Sequence, residues 1–149
     1  MFTRTEEGYE VILASPYMYS GAILQTTFIR VFLSFIANNL FKGTLGIQGI
    51  LTISSFYRLY RGPILLKLQS CYGEKIIERK GFESMVELLM KLVFLEVSIS
   101  EVPMVLNTDL RKGRSKMKIL PTIMGYFTLL KEKKRWQKTA HDMFGKIKL

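Results

Sequence analysis

From Arg30 to Lys42 a polar side chain returns at every fourth residue (Arg30, Ser34, Asn38, Lys42), inside a run from Ala22 to Lys42 that is otherwise almost wholly apolar. Positions four apart fall on one line along an α-helix, so this run is expected to form a helix with one narrow polar stripe. Ile29, Phe32, Leu33, Ile36, Ala37 and Leu40 cover the other side, and Phe28, Val31 and Phe35 widen it. A helix that is apolar around most of its circumference is either packed on several sides or half sunk in a lipid interface. Any fold for this chain has to provide one or the other.

The segments around this helix alternate in character. Tyr9 to Ala14 is a short β-prone run ended by Ser15-Pro16, and Gly21 closes the loop that follows. Gly43 to Gly49 reads as a loop, and Ile50 to Tyr60 is β-branched and aromatic, with Arg58 and Arg61 near its end. Pro63 is placed to open a short helix through Gln69. Glu74 to Arg79 alternates as a strand would. Phe82 to Leu95 carries the clearest helical period, with Glu83, Glu87 and Lys91 as a polar stripe and Met85, Val86, Leu89, Leu92 and Val93 as its buried side. Glu87 and Lys91 make a favourable i, i+4 pair. Val97 to Leu106 has strand character, with Pro103 at an edge or bend. Asp109 to Lys118 is a charged loop in which Ser115 can cap the next helix, while Pro121 implies a kink or a later start. In Lys131 to Leu149, Trp136, Ala140, Met143, Phe144 and Ile147 share one face and lysines hold the rest. Alternating strand and helix in a chain of 149 residues predicts an α/β fold.

Charge divides the chain. Residues 1–109 hold ten Lys/Arg against ten Asp/Glu, whereas residues 110–149 hold twelve Lys/Arg against Glu132 and Asp142, which accounts for the whole net charge of +10. A neutral body with a basic end implies an anionic surface or ligand met by that end. One cysteine, Cys71, allows no internal disulfide and implies a reducing compartment. With His141 as the one histidine, no histidine- or thiolate-based metal site is available. The opening residues are charged where a secretory signal would be apolar, and Val11 to Ile29 is too broken by Pro16, Gly21 and Gln25 for a membrane span.

Four stretches, in order, resemble the C-terminal half of family 2 glycosyltransferases of the dolichyl- or polyprenyl-phosphate sugar synthase type. They are Glu6 to Met18; Arg30 with Leu33-Ser34 and Ala37-Asn38; Ser54 to Arg61; and a set comprising Gly81-Phe82-Glu83, Val86-Glu87-Leu88, Glu101-Val102-Pro103, Gly113 to Lys118 and Gly125-Tyr126. Together they span roughly residues 6–130. The resemblance implies an α/β GT-A fold, incomplete here, with residues 1–130 as the acceptor-side portion and residues 131–149 as a basic amphipathic tail. It implies transfer of a sugar from a nucleotide sugar to a polyprenyl phosphate, at the cytoplasmic face of a membrane to which the protein is peripheral. The family's nucleotide-binding loop and paired aspartates are missing, since Asp109 and Asp142 stand far apart. Mg or Mn is therefore implied by the family without its acidic ligands in this chain, which is expected to be an inactive, N-terminally truncated fragment. Phe35, Thr52, Phe56 and Pro121 also depart from the family's pattern.

By the same resemblance, Arg30 and Ser34 contact the acceptor phosphate, and Lys112, Arg114, Ser115 and Lys116 form a basic loop over the phosphates. The residue types suit this: a guanidinium fork one turn from a hydroxyl matches a phosphate monoester, and basic side chains beside backbone N–H groups at a helix start attract anions. The bland alternatives are a solvated stripe and a basic surface loop. No catalytic residue is assigned, and Glu83 with Glu87 reads as an ion-paired stripe more readily than as an acid–base pair. The C-terminal segment with Trp136 is either an interfacial anchor or a helix packed on the domain. Two other readings of the whole are a small basic protein binding a membrane surface or nucleic acid without enzymatic activity, and a chain completed by a separate partner that supplies the missing half. Nucleic acid is disfavoured, because few aromatics lie among the basic residues.

Overall fold

The computed structural model describes residues 1–25, 28–45, 49–107 and 119–147. Its elements in chain order are α1 (Phe2–Glu6), β1 (Val11–Ser15), β2 (Ala22–Leu24), α2 (Phe28–Leu45), β3 (Arg58–Tyr60), α3 (Gly62–Tyr72), a 3₁₀ turn (Gly73–Lys75), α4 (Ser84–Phe94), β4 (Ile99–Pro103), β5 (Val105–Asn107) and α5 (Ile119–Ile147). The expected α/β class holds. A three-stranded mixed sheet runs β3-β1-β4, with β1 antiparallel to β3 and parallel to β4. A second, two-stranded ladder pairs β2 with β5 in parallel.

The uninterrupted apolar run that marked β1 in the sequence is what a central strand needs, and all five of its residues are buried. Val11 and Leu13 face a core built from Phe41 of α2, Ile64 and Leu68 of α3, Val86, Leu89 and Leu92 of α4, and Leu129, Trp136 and Ala140 of α5. α3 starts with Pro63 in its first turn and runs to Tyr72, past the expected Gln69; Ile64, Leu68 and Tyr72 point inward at intervals of four. Gly73, at φ +57°, ends it in a conformation that favours glycine.

Three expectations need correction. Residues 22–24 are not helical, because Ala22 to Leu24 find a parallel partner in Val105 to Asn107; α2 starts at Phe28 and continues through Gly43 and Thr44 to Leu45. Lys133 of α5 donates to the Thr44 carbonyl near the end of α2, where a cation suits both the free carbonyls and the helix dipole. Glu74 to Arg79 is not a strand either. Its backbone is bound by side chains of α4: Lys91 Nζ donates to the carbonyls of Lys75 (2.5 Å) and Ile76 (3.2 Å), and the N–H groups of Glu78 and Arg79 each donate to Glu87 at 2.9 Å. The segment that read as one strand from Val97 to Leu106 is two, β4 and β5, broken at Met104.

The Glu87–Lys91 pair forms at 2.6 Å as the spacing implies, but both side chains are fully buried instead of lining a polar face. The Lys91 ammonium also meets Glu78 Oε1 at 3.2 Å and lies 4.6 Å from the Trp136 ring and 5.2 Å from the Tyr72 ring. Glu78 in turn accepts from Arg135 and from Trp136 Nε1 (2.9 Å) on α5. Burial works against ionisation of Glu78, but the hydrogen bonds from Arg135, Trp136 and Lys91 outweigh it and hold its pKa down at about 2. Trp136 and Ala140 thus pack on the domain, and the expected boundary between residues 130 and 131 falls within one continuous helix that has Pro121 in its first turn. Ser115, expected as its cap, lies outside the described residues.

Removing the lysine from this network leaves a buried carboxylate without its counter-ion. Lys91→Met is expected to lower the free energy of unfolding by about 3–5 kcal/mol, read from urea titrations. Because the folded-state pKa of Glu78 is depressed, its contribution is complete above the ordinary value of 4.5 and drains away as pH falls towards about 2. Arg135→Met is expected to flatten the loss of stability across that window, measured as the denaturant midpoint against pH.

Candidate functional site

The parallel strands β1 and β4 end side by side, Ser15 opposite Pro103, and a compact set of polar groups gathers there. Beyond β1 the chain turns through Pro16 to Gly21. A side chain at Gly21 would lie 2.8 Å from the Pro16 and Ser15 carbonyl oxygens, so glycine alone fits that approach. Ser15 Oγ meets Thr52 Oγ1 at 2.6 Å. The Glu101 carboxylate accepts the N–H groups of Leu51 (2.6 Å) and Thr52 (2.8 Å), and Asn38 Oδ1 accepts that of Ile53 (3.2 Å). Arg58 donates from Nε to the Ser55 carbonyl at 2.6 Å and from Nη2 to the Ile53 carbonyl at 2.9 Å. Residues 50–56 have no regular secondary structure, yet side chains from α2, β3 and β4 hold their backbone in place and Ser15 of β1 holds the Thr52 hydroxyl. Of the β-prone run from Ile50 to Tyr60, the last three residues alone form a strand.

Burial raises the pKa of Glu101, against the opposing pull of the Leu51 and Thr52 N–H groups, the Lys42 charge and Ser15. Burial also lowers that of Arg58. Arg58 has a structural role: its guanidinium pins backbone carbonyls. Arg61 is exposed. Glu87 is fully engaged by Lys91 and two N–H groups, so it forms no acid–base pair with Glu83. Among the described residues, no group of three or more His, Cys, Asp and Glu side chains lies close enough together to hold a metal.

α2 is oriented opposite to an ordinary amphipathic helix. Ser34 and Lys42 are half-buried and Asn38 and Phe41 are buried, so this part of the polar stripe turns towards the domain. Phe28, Phe32, Phe35, Ile36 and Leu40 face outward, with Phe28 81% exposed and Phe35 63%. Phe28 and Phe32 stack on each other at 6.2 Å. Leu120, Met124 and Phe127 add exposed apolar side chains from the first turns of α5. No helix among the described residues is long and apolar enough to cross a membrane.

The predicted phosphate contacts are placed by backbone and sequence. Arg30 lies on α2 four residues before Ser34, and its side chain is outside the described part of the molecule. Lys112, Arg114, Ser115 and Lys116 lie outside the described residues. The segments that carry these two sets leave the same end of one ladder: Leu24 of β2 is paired with Asn107 of β5, Arg30 follows six residues after the first, and Lys112 follows five residues after the second. Sequence reasoning missed this ladder, because three-residue strands carry too little periodicity to register. It also missed the role of Glu101 and Thr52, whose signal was faint: an acid and a hydroxyl inside apolar β-prone runs.

The chain matches no protein-family model.

In Glu101 the folded state holds a proton more tightly than the unfolded chain does, so its share of stability is complete below the ordinary carboxylate value and is lost as pH rises through the raised one. Glu101→Gln is expected to remove that dependence. Thermal melts from acid to neutral pH would then show wild type losing ground to the variant as pH rises.

Proposed function

We propose that this chain is the acceptor-side part of a GT-A, family 2 glycosyltransferase that joins a sugar to a polyprenyl phosphate at a membrane surface. The observation that carries the reading is the β2–β5 ladder, which sets Leu24, six residues before Arg30, beside Asn107, five residues before Lys112. Beside it stands the outward apolar face of α2 and the first turns of α5. A lipid phosphate presents an anionic head on an apolar chain, and α2 carries Arg30 and Ser34 in its sequence together with uncovered aromatic surface. The order of the resembling stretches supports the same assignment, as does a mixed sheet with helices packed against it.

The chemistry this part serves is an in-line displacement. A lipid phosphate oxygen attacks the anomeric carbon of the sugar, the bond to the nucleoside diphosphate breaks, and inversion results. The attacking group is already an anion, so the demand is less for a base than for cations that bring two anions together. Arg30 suits this with two parallel charge-assisted hydrogen bonds to the acceptor phosphate, Ser34 with a third donor, and Lys112, Arg114, Ser115 and Lys116 with charge and N–H groups over the phosphates. Mg or Mn would neutralise the departing diphosphate. The residues present do not fit it, because the two aspartates of this chain stand far apart in sequence and no group of three or more His, Cys, Asp or Glu side chains gathers among the described residues, so no step here runs through the metal. The chain alone is accordingly inactive in transfer, and its role is binding the acceptor at the cytoplasmic face of a membrane. Against nucleic acid, the tryptophan of the basic helix is buried and offers no face for base stacking.

Co-sedimentation with vesicles of phosphatidylcholine, with or without polyprenyl phosphate, tests this. Phe32→Ser combined with Phe35→Ser is expected to weaken binding to both vesicle types about 10-fold or more, from the apolar surface withdrawn from lipid. Arg30→Ala is expected to cut only the increment due to polyprenyl phosphate, also about 10-fold, from the lost charge-assisted bonds. Equal binding of wild type to the two vesicle types would remove the acceptor assignment.

A further inference from the structure

A second surface, independent of the lipid reading, lies along β3. The Tyr57 carbonyl accepts from Ala14 N–H, Leu59 stands opposite Ile12, and Arg61 N–H donates to the Glu10 carbonyl. Alternate residues are thereby committed to β1, so Arg58 and Tyr60 turn their N–H and C=O groups to the other side. Among the described residues those groups have no partner strand. Edge strands are commonly guarded by an outward cation, a proline or a bulge. Here the one cation within the strand is withdrawn, since the Arg58 guanidinium is bound to the Ile53 and Ser55 carbonyls.

Two further features flank this edge. At its start, Phe56 and Tyr57 are 58% and 62% exposed. At its end, a groove of about 530 Å³ opens between α1 and the β3–α3 turn, lined among others by Phe2, Glu6, Leu59, Gly62 and Pro63. One end of the strand is a protrusion and the other a recess.

We propose that the chain pairs with a second copy of itself through β3, antiparallel about a two-fold axis at Leu59, so that one sheet runs through both copies. In that register each Arg58 stands opposite the Tyr60 of the other copy, and the two exchange donor and acceptor. Tyr57 then stands opposite Arg61 and Phe56 opposite Gly62, which brings the aromatic pair of each copy to the groove of the other. A two-fold interface requires a patch complementary to itself, and a protrusion and a recess on either side of one central residue meet that requirement. Pairing with an unrelated strand would not call for it.

Analytical ultracentrifugation of the whole chain, in a mild non-ionic detergent that covers the α2 face, tests the pairing. The expected result is a concentration-dependent species of twice the 17.3 kDa chain mass. Tyr60→Pro removes an outward donor while Leu59 and Arg61 keep their bonds to β1, and is expected to raise the dimer dissociation constant about 10-fold or more. Tyr57→Ser withdraws an exposed aromatic ring that the pairing seats against the groove of the other copy; it is expected to act in the same direction without touching the core. Phe32→Ser with Phe35→Ser should leave the dimer intact. A wild type that stays monomeric at every concentration overturns the proposal, as does a dimer that survives both β3 variants. A dimer lost only with the α2 substitutions would assign association to the apolar face instead and overturn it equally.

Discussion

One ammonium group, Lys91 Nζ, is surrounded on every side by what its burial demands. Removing such a charge from water costs several kcal/mol, and here carboxylates of Glu87 and Glu78, two backbone carbonyls and two aromatic rings stand in for the lost solvent. Because those groups come from α4, from the irregular segment after α3 and from α5, satisfying the charge fixes where the three lie. The placing of α5 follows from it.

This interior explains both what the sequence revealed and what it hid. Elements with a strong local signal were readable: the unbroken apolar run of β1, the proline that opens α3, the stripe of α4. Glu87 and Lys91 were readable as partners but not as interior residues, since an i, i+4 spacing is the same on a surface helix as on a buried one. The segment from Glu74 to Arg79 alternates convincingly, yet its amides and carbonyls are claimed by side chains of a neighbouring helix, a competitor no local pattern discloses. β2 was read as helix because its alternative partner lies some eighty positions further along the chain.

The corner proposed to receive the lipid was only half readable, for a related reason. A stripe of polar residues on a greasy helix suggests at first that the polar side meets water. In α2 the stripe instead turns to a domain whose 50–56 segment needs Asn38, and the phenylalanines are left outside. Which side faced inward depended on the unmet hydrogen bonds of that segment, and those depended on Glu101, Thr52 and Arg58 acting together. Spacing within α2 contains none of that information. The residues proposed as phosphate contacts were named by resemblance, and the ladder sets the ends of β2 and β5, Leu24 and Asn107, side by side.

Met104 deserves a last consideration. Its N–H donates to the Ser15 carbonyl at 3.0 Å and its own carbonyl accepts from Ala22 at 3.1 Å, so a single residue stitches the larger sheet to the smaller ladder. The spacer between them is thus counted, not elastic. One residue gained or lost at that joint would leave β4 seated while β5 slid along β2 by a step, inverting which side chains look up and which look down. Everything threaded after Asn107 would inherit the slip.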